Sequence, residues 1–515
     1  MKKIKPKKQT AKVPSLQERV SGLLFHPTSL PGPYAIGDVG PAAYAFADFL
    51  AASGQRWWQV LPIGPLGKGN SPYLSFSAFA GNYLLISPEL LARDGWLDSS
   101  DLASLHGPSH EKVDYEAARD IKQRCLWRAF DRFAIASSAA SRRGFESFCR
   151  QEAFWLEDYA LFSALRYHHP GKEWVEWETE LRERHPKALA AARRDWARDI
   201  QFHRFVQWQF ARQWKALRRY ASQRGVGLIG DVPIFVSLDS ADVWVHQNLF
   251  KLRPNGKPEV VAGVPPDYFS ATGQLWGNPH YRWEAHQRQG YRWWLERLGQ
   301  TFRFFEAVRI DHFIGFVRYY EVPGNALTAE NGSYRPGPGA AFFKAIFRRM
   351  GPVQLIAEDL GKITPEVKTL RDQFHLPGMK VLQFAFGSDP EACEYLPHHY
   401  PPNAAVYTGT HDNDTTAGWF HHLEASGHEK ERAFALQYLH SDGREIHWDM
   451  IRAAFQSVAN TAIVPLQDVL GLGSDARMNR PGIAKGNWEW RLRPAALTPP
   501  LARRLRALAR TCGRI

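Results

Sequence analysis

Acidic residues stand at the ends of short apolar segments in four places along this 515-residue chain. These acids are Asp231, Asp311, Glu358 with Asp359, and Asp412 with Asp414. Taken singly, each has a plainer explanation as a helix N-cap or a loop residue. Four carboxylates around one cleft repel each other and desolvate poorly, so their repetition indicates a catalytic site rather than a stabilising feature.

Asp311 and Glu358 have the surroundings that two complementary catalytic roles require. Arg309 precedes Asp311 by two residues, so both side chains share one face of a strand, and the Arg charge is expected to keep the carboxylate ionised as a nucleophile. Glu358 follows Leu-Ile-Ala and precedes Asp359, a setting that raises a carboxyl pKa and suits a proton donor. One ionised and one protonated carboxyl form the arrangement of a retaining glycosidase. A structural salt bridge is the alternative for Arg309, but it leaves the neighbouring acids unexplained.

The acids follow segments that have the character of buried strands bounded by turn signals. Eight such segments are Gly22–Pro27, Arg56–Ile63, Gly227–Phe235, Phe304–Asp311, Gln354–Leu360, Met379–Phe386, Ala404–Asp412 and Thr461–Leu470. Helices are predicted at Pro41–Ser53, His286–Thr301, Gly339–Met350 and Pro365–His375, the last with Thr364 as its N-cap. Alternating strands and helices predict a parallel α/β sheet, and eight strands predict its closure into a (β/α)8 TIM barrel with the acids at one rim.

Such a barrel needs about 250 residues, so about half of the chain must lie in insertions and ends. We expect largely helical insertions after the second and third strands, at about residues 83–200 and 236–300. The second insertion contains Asn255-Gly256, which predicts a hairpin turn. The rest divides into a basic N-terminal tail at 1–20, a catalytic barrel at 21–495 and an Arg-rich C-terminal helix at 496–515.

The net charge of +13 suggests a polyanionic partner, but its position in the chain argues against one. Residues 1–12 carry six Lys and residues 491–515 carry seven Arg, with no acid in either stretch. The 478 residues between them are therefore neutral, and nucleic acid is not the leading partner. The sequence also contains no run of 18 apolar residues, so no membrane partner is expected.

Two residue types indicate a sugar substrate and a reducing compartment. The 19 Trp are explained mainly by a Trp-rich core, and some of them suit stacking on sugar rings. The four Cys lie far apart without a C-x-x-C pair, which favours reduced thiols. The Lys-rich start lacks the apolar stretch of a secretory signal, so a cytoplasmic location is expected.

Many long motifs, in order from about residue 22 to residue 492, resemble those of the amylomaltases. This family, the 4-α-glucanotransferases or disproportionating enzymes, is glycoside hydrolase family 77 of the α-amylase clan. The motifs are LFHPTSLPGP (24–33), WWQVLPIG (57–64), NSPYLSFSAFAGN (70–82), GDVPIF (230–235), PPDYFSATGQLWGNP (265–279), RIDHF (309–313), AEDLG (357–361), GTHDNDT (409–415) and RMNRPG (477–482).

The resemblance implies roles for individual residues. Asp311 is the expected nucleophile, Glu358 the general acid/base, and Asp412 a third carboxylate that favours the distorted, oxocarbenium-like sugar. The implied substrate contacts are Tyr73, Asp231, Gln274, Trp276, Arg309, His411 and Asn479. Residues 261–277 resemble the family's loop over the active site, and a separate C-terminal β domain, common in amylases, is not expected.

The expected activity is transfer of α-1,4-glucan segments between maltooligosaccharides by a retaining double displacement, without a metal or organic cofactor. His398-His399 and His421-His422 lack metal-ligand spacing. The alternative is an α-amylase-like hydrolase that uses the same carboxylates with water as acceptor. A non-catalytic glycan-binding protein is disfavoured by the full carboxylate set, and a nucleic-acid binder rests only on the basic ends. No sequence feature indicates an oligomeric state.

Overall fold

The computed structural model describes residues 12–105, 111–266 and 271–515, so residues 1–11 of the expected N-terminal tail lie outside it. Twelve strands form within these ranges. In chain order they are β1 (Val20–Leu24), β2 (Trp57–Gln59), β3 (Gly227–Pro233), β4 (Val260–Val264), β5 (Gln274–Pro279), β6 (Ala307–Asp311), β7 (Arg318–Pro323), β8 (Ser333–Pro336), β9 (Leu355–Ala357), β10 (Gly378–Val381), β11 (Ala404–Tyr407) and β12 (Thr461–Pro465).

Eight of the strands close into a parallel barrel in the order β1-β12-β11-β10-β9-β6-β3-β2. Closure occurs at β1, where Leu24 pairs with Pro465 on one side and with Gln59 on the other. Each of the eight predicted segments supplies one barrel strand, so the predicted (β/α)8 TIM barrel is confirmed. All eight strands point the same way, and their C-terminal ends therefore meet at one rim.

Helices surround the barrel and fill the long insertion between β2 and β3. Within the described ranges they are α1 (Pro41–Ala52), α2 (Pro88–Arg93), α3 (Ser99–Leu105), α4 (Tyr115–Ala136), α5 (Ala139–Gln151), α6 (Ala153–His168), α7 (Thr179–Arg182), α8 (Pro186–Asp195), α9 (Ala197–Ser222), α10 (Ala241–Val245), α11 (Trp283–Arg288), α12 (Arg292–Phe302), α13 (Gly339–Met350), α14 (Pro365–Gln373), α15 (Thr416–Ala425), α16 (Glu429–Leu439), α17 (Ile446–Gln456), α18 (Leu466–Val469) and α19 (Pro499–Thr511). None of them is long and apolar enough to cross a membrane.

A second, antiparallel sheet lies beside the rim and was not predicted from the sequence. Its order is β5-β4-β7-β8, so it joins two strands from the insertion after β3 with two from the segment after β6. The expected turn at Asn255-Gly256 is present, with Leu252 bridged to Pro258 across it. The sheet escaped prediction because its strands are short and come from two separate stretches of chain.

The single helix predicted over His286–Thr301 is wrong. The chain forms α11 and α12 there, separated at Gly290 and Tyr291, which both have a positive φ (62° and 59°). A left-handed pair cannot continue an α-helix, so the chain changes direction at this point. Thr364 does precede α14 with Pro365 at its first position, although the Thr364 hydroxyl does not make the capping hydrogen bond.

Most of the tryptophans belong to the core, as expected. Fourteen of the 19 are buried, and Trp57 and Trp58 on β2 are among the largest fully buried side chains. Glycines on the flanking strands make room for Trp57: a Cβ at Gly22 would lie 2.4 Å from its Cβ, and one at Gly227 would lie 2.5 Å from its ring. Large side chains on β2 therefore depend on small residues on β1 and β3.

Candidate active site

A buried cluster of charge lies where β3 and β6 end. The side chains of Arg309 and Asp231 are 4% and 0% exposed, and Arg309 Nη2 donates to Asp231 Oδ2 at 2.9 Å. The same nitrogen donates to Asp311 Oδ1 at 2.8 Å and to the Tyr73 hydroxyl oxygen at 3.2 Å. Tyr73 in turn donates to Asp231 Oδ2 at 2.7 Å. One guanidinium thus holds two carboxylates and a phenol in fixed positions.

Strand register explains this gathering. Asp231 on β3 pairs with Arg309 on β6, and Pro233 pairs with Asp311. On the other side of β6, Ile310 pairs with Ala357, the last residue of β9, so that Glu358 follows directly beside Asp311. The alternating side-chain directions of β6 place Arg309 and Asp311 on one face, as predicted.

Glu358 is held by the turn that follows β6. Its main-chain N–H donates to the Ile310 carbonyl at 3.0 Å, and its own carbonyl accepts from the N–H of Phe313 at 3.0 Å. The main-chain N–H of His312 donates to Glu358 Oε2. His312 can aim that N–H at the carboxyl because it has a left-handed conformation with φ 52° and ψ 51°.

Burial raises the pKa of both acids. It raises the pKa of Asp311 to about 7, although the adjacent Arg309 charge acts in the opposite direction. Burial and the nearby Asp311 carboxylate raise the pKa of Glu358 well above its usual range. Because Arg309 pairs directly with Asp311, Asp311 is the more acidic of the two, and Glu358 keeps its proton when Asp311 ionises.

Arg309 does lower the pKa of Asp311, as expected, but burial outweighs it and the net pKa is raised. Arg309 divides its charge between Asp311 and the fully buried Asp231, and the Asp231 carboxylate itself raises the pKa of Asp311. The sequence showed the Arg–Asp spacing on one strand. It could not show the competing acid on the neighbouring strand or the depth of burial.

Asp412 lies in the segment between β11 and α15, which we call the Asp412 loop (residues 408–415). Its side chain is 48% exposed, so it opens towards solvent at the rim. Asn479 Nδ2 donates to Asp412 Oδ1 at 2.6 Å, and His411 Nε2 lies 3.3 Å from Asp412 Oδ2. The His411 ring stacks on Tyr73 with 5.1 Å between centroids, which links the Asp412 loop to the Arg309 cluster.

Gln274 and Trp276 lie on β5, the edge strand of the second sheet. Trp276 Nε1 donates to Gln274 Oε1 at 3.2 Å, and the Trp276 ring meets the His312 ring edge-on at 5.0 Å. His312 follows Asp311 in sequence, so the second sheet brings both predicted contacts to the carboxylate rim. Of the predicted covering loop at 261–277, residues 267–270 lie outside the described residues.

Two acids that the sequence placed with the others have structural contacts instead. Asp359 is buried, receives a hydrogen bond from Arg371 at 2.7 Å and accepts the N–H of Met379 at 2.8 Å. Asp414 accepts from the hydroxyl of Ser474 at 2.6 Å. The plain explanation for a strand-end acid thus holds for these two, whereas Asp231, Asp311, Glu358 and Asp412 meet at the rim.

The family comparison agrees with this geometry. A family model described as 4-alpha-glucanotransferase (glycoside hydrolase family 77) matches residues 25–498 of the chain, which include every residue of the site. The chain belongs to this family.

Relatives in the 4-alpha-glucanotransferase family match along nearly the whole chain. The 4-alpha-glucanotransferase of Thermus thermophilus is 49% identical and covers 96% of this chain and 99% of its own length. That of Synechocystis sp. is 47% identical over 97% of this chain and 99% of its own. The structure of the Streptococcus agalactiae amylomaltase in complex with acarbose is similar with a TM-score of 0.92 and 38% identity, covering 96% of this chain and 100% of that one.

Three further residues of this family member contact the site and were not predicted from the sequence. Arg477 donates to the carbonyl oxygen of Asp412, and its Nε donates to the Asn479 carbonyl at 2.7 Å. His312 supplies the N–H to Glu358, and Trp488 lies 5.9 Å from the rings of both Tyr73 and His411. Arg477 and His312 stand inside the RMNRPG and RIDHF motifs, so the motifs contained the signal, but Trp488 stands in none of them.

Proposed function

We propose that this member of the 4-alpha-glucanotransferase family transfers α-1,4-glucan segments from a maltooligosaccharide donor to the 4-OH of glucose or another α-1,4-glucan. The observation that carries the proposal is the pairing of Asp311, fixed by Arg309 at 2.8 Å, with a Glu358 whose pKa is raised by burial and by the Asp311 carboxylate. This pair supplies one nucleophile and one proton donor, as a retaining double displacement requires.

In the first displacement, an Asp311 carboxylate oxygen attacks the anomeric carbon of the donor. The bond between that carbon and the glycosidic oxygen breaks, and Glu358 gives its proton to the departing oxygen. The reducing-end fragment leaves as a neutral sugar, and the rest of the donor is attached to Asp311 as an ester. Glu358 is now a carboxylate.

In the second displacement, the Glu358 carboxylate takes the proton from the 4-OH of an acceptor sugar. The acceptor oxygen forms a bond to the anomeric carbon, and the ester bond to Asp311 breaks. Two inversions at one carbon retain the α configuration. Both acids return to their starting protonation states, so the cycle needs no metal or organic cofactor.

Asp412 is suited to hold hydroxyl groups of the sugar that is cleaved. Its two carboxylate oxygens are fixed by Asn479 and His411, yet half of the side chain is open to the rim. A fixed carboxylate beside the reacting ring also stabilises the positive charge that develops in the oxocarbenium-like transition state. We assign this role to Asp412, with His411 and Asn479 as neighbouring sugar contacts.

Arg309 and Asp231 are almost completely buried, and His411 is the other buried residue among the implied sugar contacts. We assign Arg309 and Asp231 chiefly to holding Asp311 from below, through the hydrogen bonds at 2.8 and 2.9 Å. Tyr73 shares this cluster and is half-buried, and Gln274 and Trp276 lie exposed enough on the second sheet to contact a glucan. Acarbose, which the Streptococcus agalactiae amylomaltase binds, is expected to bind this chain at the same rim.

Transfer prevails over hydrolysis when an acceptor sugar reaches the ester before water does. The half-exposed Trp276 on β5 offers an aromatic face next to His312, and such a face binds sugar rings and excludes water. The second sheet therefore favours a sugar acceptor at this position.

We also propose a cytoplasmic location, because the four cysteine thiols are unpaired and fit a reducing compartment.

Incubation with maltotriose as the only carbohydrate tests the reaction type. Transfer yields glucose together with chains longer than maltotriose. An α-amylase-like hydrolase yields only shorter products, and that result would refute the proposed transfer. The Asp311→Asn variant should form neither product set while it retains oligosaccharide binding, so retained turnover would refute the assignment of the nucleophile.

A further inference from the structure

Asp468 is a buried acid that the double displacement does not use. It belongs to α18, the short helix that directly follows β12, and it is 1% exposed. A carboxylate at this depth is costly unless several hydrogen-bond donors reach it. The groups that donate hydrogen bonds to Asp468 therefore identify the part of the chain that it holds in place.

Within the described residues, its side-chain hydrogen bonds come from Thr408, the first residue of the Asp412 loop, and from Thr416, the residue directly after it. Asp468 Oδ2 accepts from the hydroxyl of Thr408 at 2.5 Å and from the hydroxyl of Thr416 at 2.8 Å. Asp468 Oδ1 accepts from the main-chain N–H of Thr416 at 2.7 Å. Thr408 is the first residue after β11, and Thr416 is the first residue of α15.

Between these two anchors, the loop is stiffened by its own side chains. Asn413 Oδ1 accepts from the N–H and the hydroxyl of Thr410, both at 2.9 Å. Thr415 caps α15 by accepting the N–H of Gly418. The internal bonds fix the shape of the loop, and Asp468 ties the residues at its two ends to one point on α18. Arg477 and Asn479 hold Asp412 directly from one side, and Asp468 holds the two ends of the segment that carries it. Asp468 therefore contributes to the position of Asp412 relative to the barrel.

We propose that Asp468 is a positioning residue for Asp412, acting through Thr408 and Thr416. This inference rests on the role proposed above for Asp412 at the reacting sugar. A carboxylate suits the task because its two oxygens only accept, and all three donors can point at it at once. An amide at this position offers one accepting oxygen, so Asp468→Asn leaves at least one donor without its partner.

Thr408 allows a test that leaves the buried acid in place. Thr408→Val has nearly the same shape but lacks the hydroxyl, whereas Thr408→Ser keeps it. Misplacement of a catalytic group by about 1 Å can cost about 100-fold in rate, so a smaller shift is expected to cost less. We expect Thr408→Val to lower kcat about 10-fold with a much smaller change in KM, and Thr408→Ser to restore kcat to within about 2-fold of wild type.

A double-mutant cycle with Asp412→Asn separates positioning from a general structural role. The donor is α-maltotriosyl fluoride, whose leaving group needs no proton, so that low rates stay measurable. If Thr408 acts through Asp412, Thr408→Val lowers kcat much less in the Asp412→Asn background than in wild type. The buried Arg514 guanidinium donates to the carbonyl of Val20, the first residue of β1, at the end of the barrel opposite the carboxylates. Arg514→Ala is therefore the destabilised control and should leave kcat unchanged in both backgrounds.

The outcomes are distinct. An equal fold-loss from Thr408→Val in both backgrounds, or no loss in wild type, would overturn the positioning role. If Thr408→Val does not fold, Thr416→Val removes the other hydroxyl while it keeps the main-chain bond, and the same cycle applies. Wild-type kcat in Asp412→Asn itself would instead refute the proposed function of Asp412, and not the contacts of Asp468.

Discussion

The guanidinium of Arg309 lies 2.9 Å from the fully buried carboxylate of Asp231, on the strand next to its own. Asp231 therefore competes with Asp311 for the single positive charge in the cluster. Its own negative charge also raises the pKa of Asp311, which burial has already brought to about 7. The acidity of the nucleophile thus depends in part on a residue of a different strand.

Asp231→Asn should move the acid limb of the pH profile to lower pH. The variant removes a negative charge and leaves Arg309 to Asp311 alone, so the pKa of Asp311 falls by about one pH unit or more. Asp311 must be ionised to attack, and the acid limb of kcat/KM reports its protonation. An acid limb that stays in place, or moves to higher pH, would contradict the electrostatic account even if kcat itself falls.

Asp311→Asn should stabilise the fold at pH 8 but not at pH 4. The folded-state pKa of Asp311, about 7, lies above the value of about 4 in the unfolded chain. The associated stability is therefore present below pH 4 and lost as the pH rises through 7, and an amide escapes this loss. Chemical denaturation at both pH values measures the difference. Asp120→Asn, at an exposed position on α4, is the control and should show no comparable pH-dependent gain.

Arg514→Ala should destabilise the barrel without changing its chemistry. The Arg514 guanidinium is fully buried and donates to the carbonyl oxygens of Val20, Ala454, Phe455, Ser457, Ala459 and Asn460. Loss of these bonds should lower the free energy of unfolding by about 3 kcal/mol. The matched control, Arg510→Ala, removes the same charge from an exposed position of α19 and should cost less than about 0.5 kcal/mol.

Kinetics of Arg514→Ala complete that test. Val20 begins β1, so Arg514 lies at the end of the barrel opposite the carboxylates. We expect kcat and KM for maltotriose to equal the wild-type values at a temperature where both variants are folded. Wild-type stability in Arg514→Ala, or a specific loss of kcat, would contradict this placement.

Trp276→Ala should raise hydrolysis relative to transfer. The change removes the aromatic face beside His312 and opens this part of the rim to water. We expect the ratio of hydrolysis to transfer to rise about 10-fold, measured as new reducing ends against glucose released from maltotriose. Leu275→Ala, an exposed neighbour on β5, is the control, and an unchanged ratio in Trp276→Ala would refute the role assigned to that ring.

The barrel was predictable from the sequence because each of its strands is a local apolar pattern closed by a turn. Asp311 and Glu358 were recognisable because Arg309 and Asp359, which stand close to them in the sequence, carry charges that shift the pKa of a neighbouring carboxyl group. The strand-end pattern alone does not show which of Glu358 and Asp359 points to the rim. The direction of the Asp359 side chain is decided by its ion pair with Arg371, which belongs to the next helix.

The charged ends illustrate the same limit. Composition showed seven arginines near the C-terminus as an excess of charge. In the fold, the buried Arg514 donates hydrogen bonds both to β1 and to the segment before β12. Arg504 forms an ion pair with Glu445 at 2.6 Å. A count of charges cannot show this because the partners are main-chain carbonyls and an acid some 60 residues earlier. The prediction that most tryptophans lie in the core, by contrast, is confirmed, because a large aromatic side chain gains much from burial wherever it stands in the chain.

Trapping the ester on Asp311 tests the double displacement most directly. Glu358→Gln is mixed with α-maltotriosyl fluoride, so that fluoride leaves without a proton while the acceptor lacks its base, and the protein is digested with pepsin at low pH. We predict that mass spectrometry finds one added maltotriosyl group on the peptide that contains Asp311, and none when Asp311 is also replaced by Asn. An adduct on another residue, or continued fluoride release with no adduct at all, would contradict Asp311 as the nucleophile.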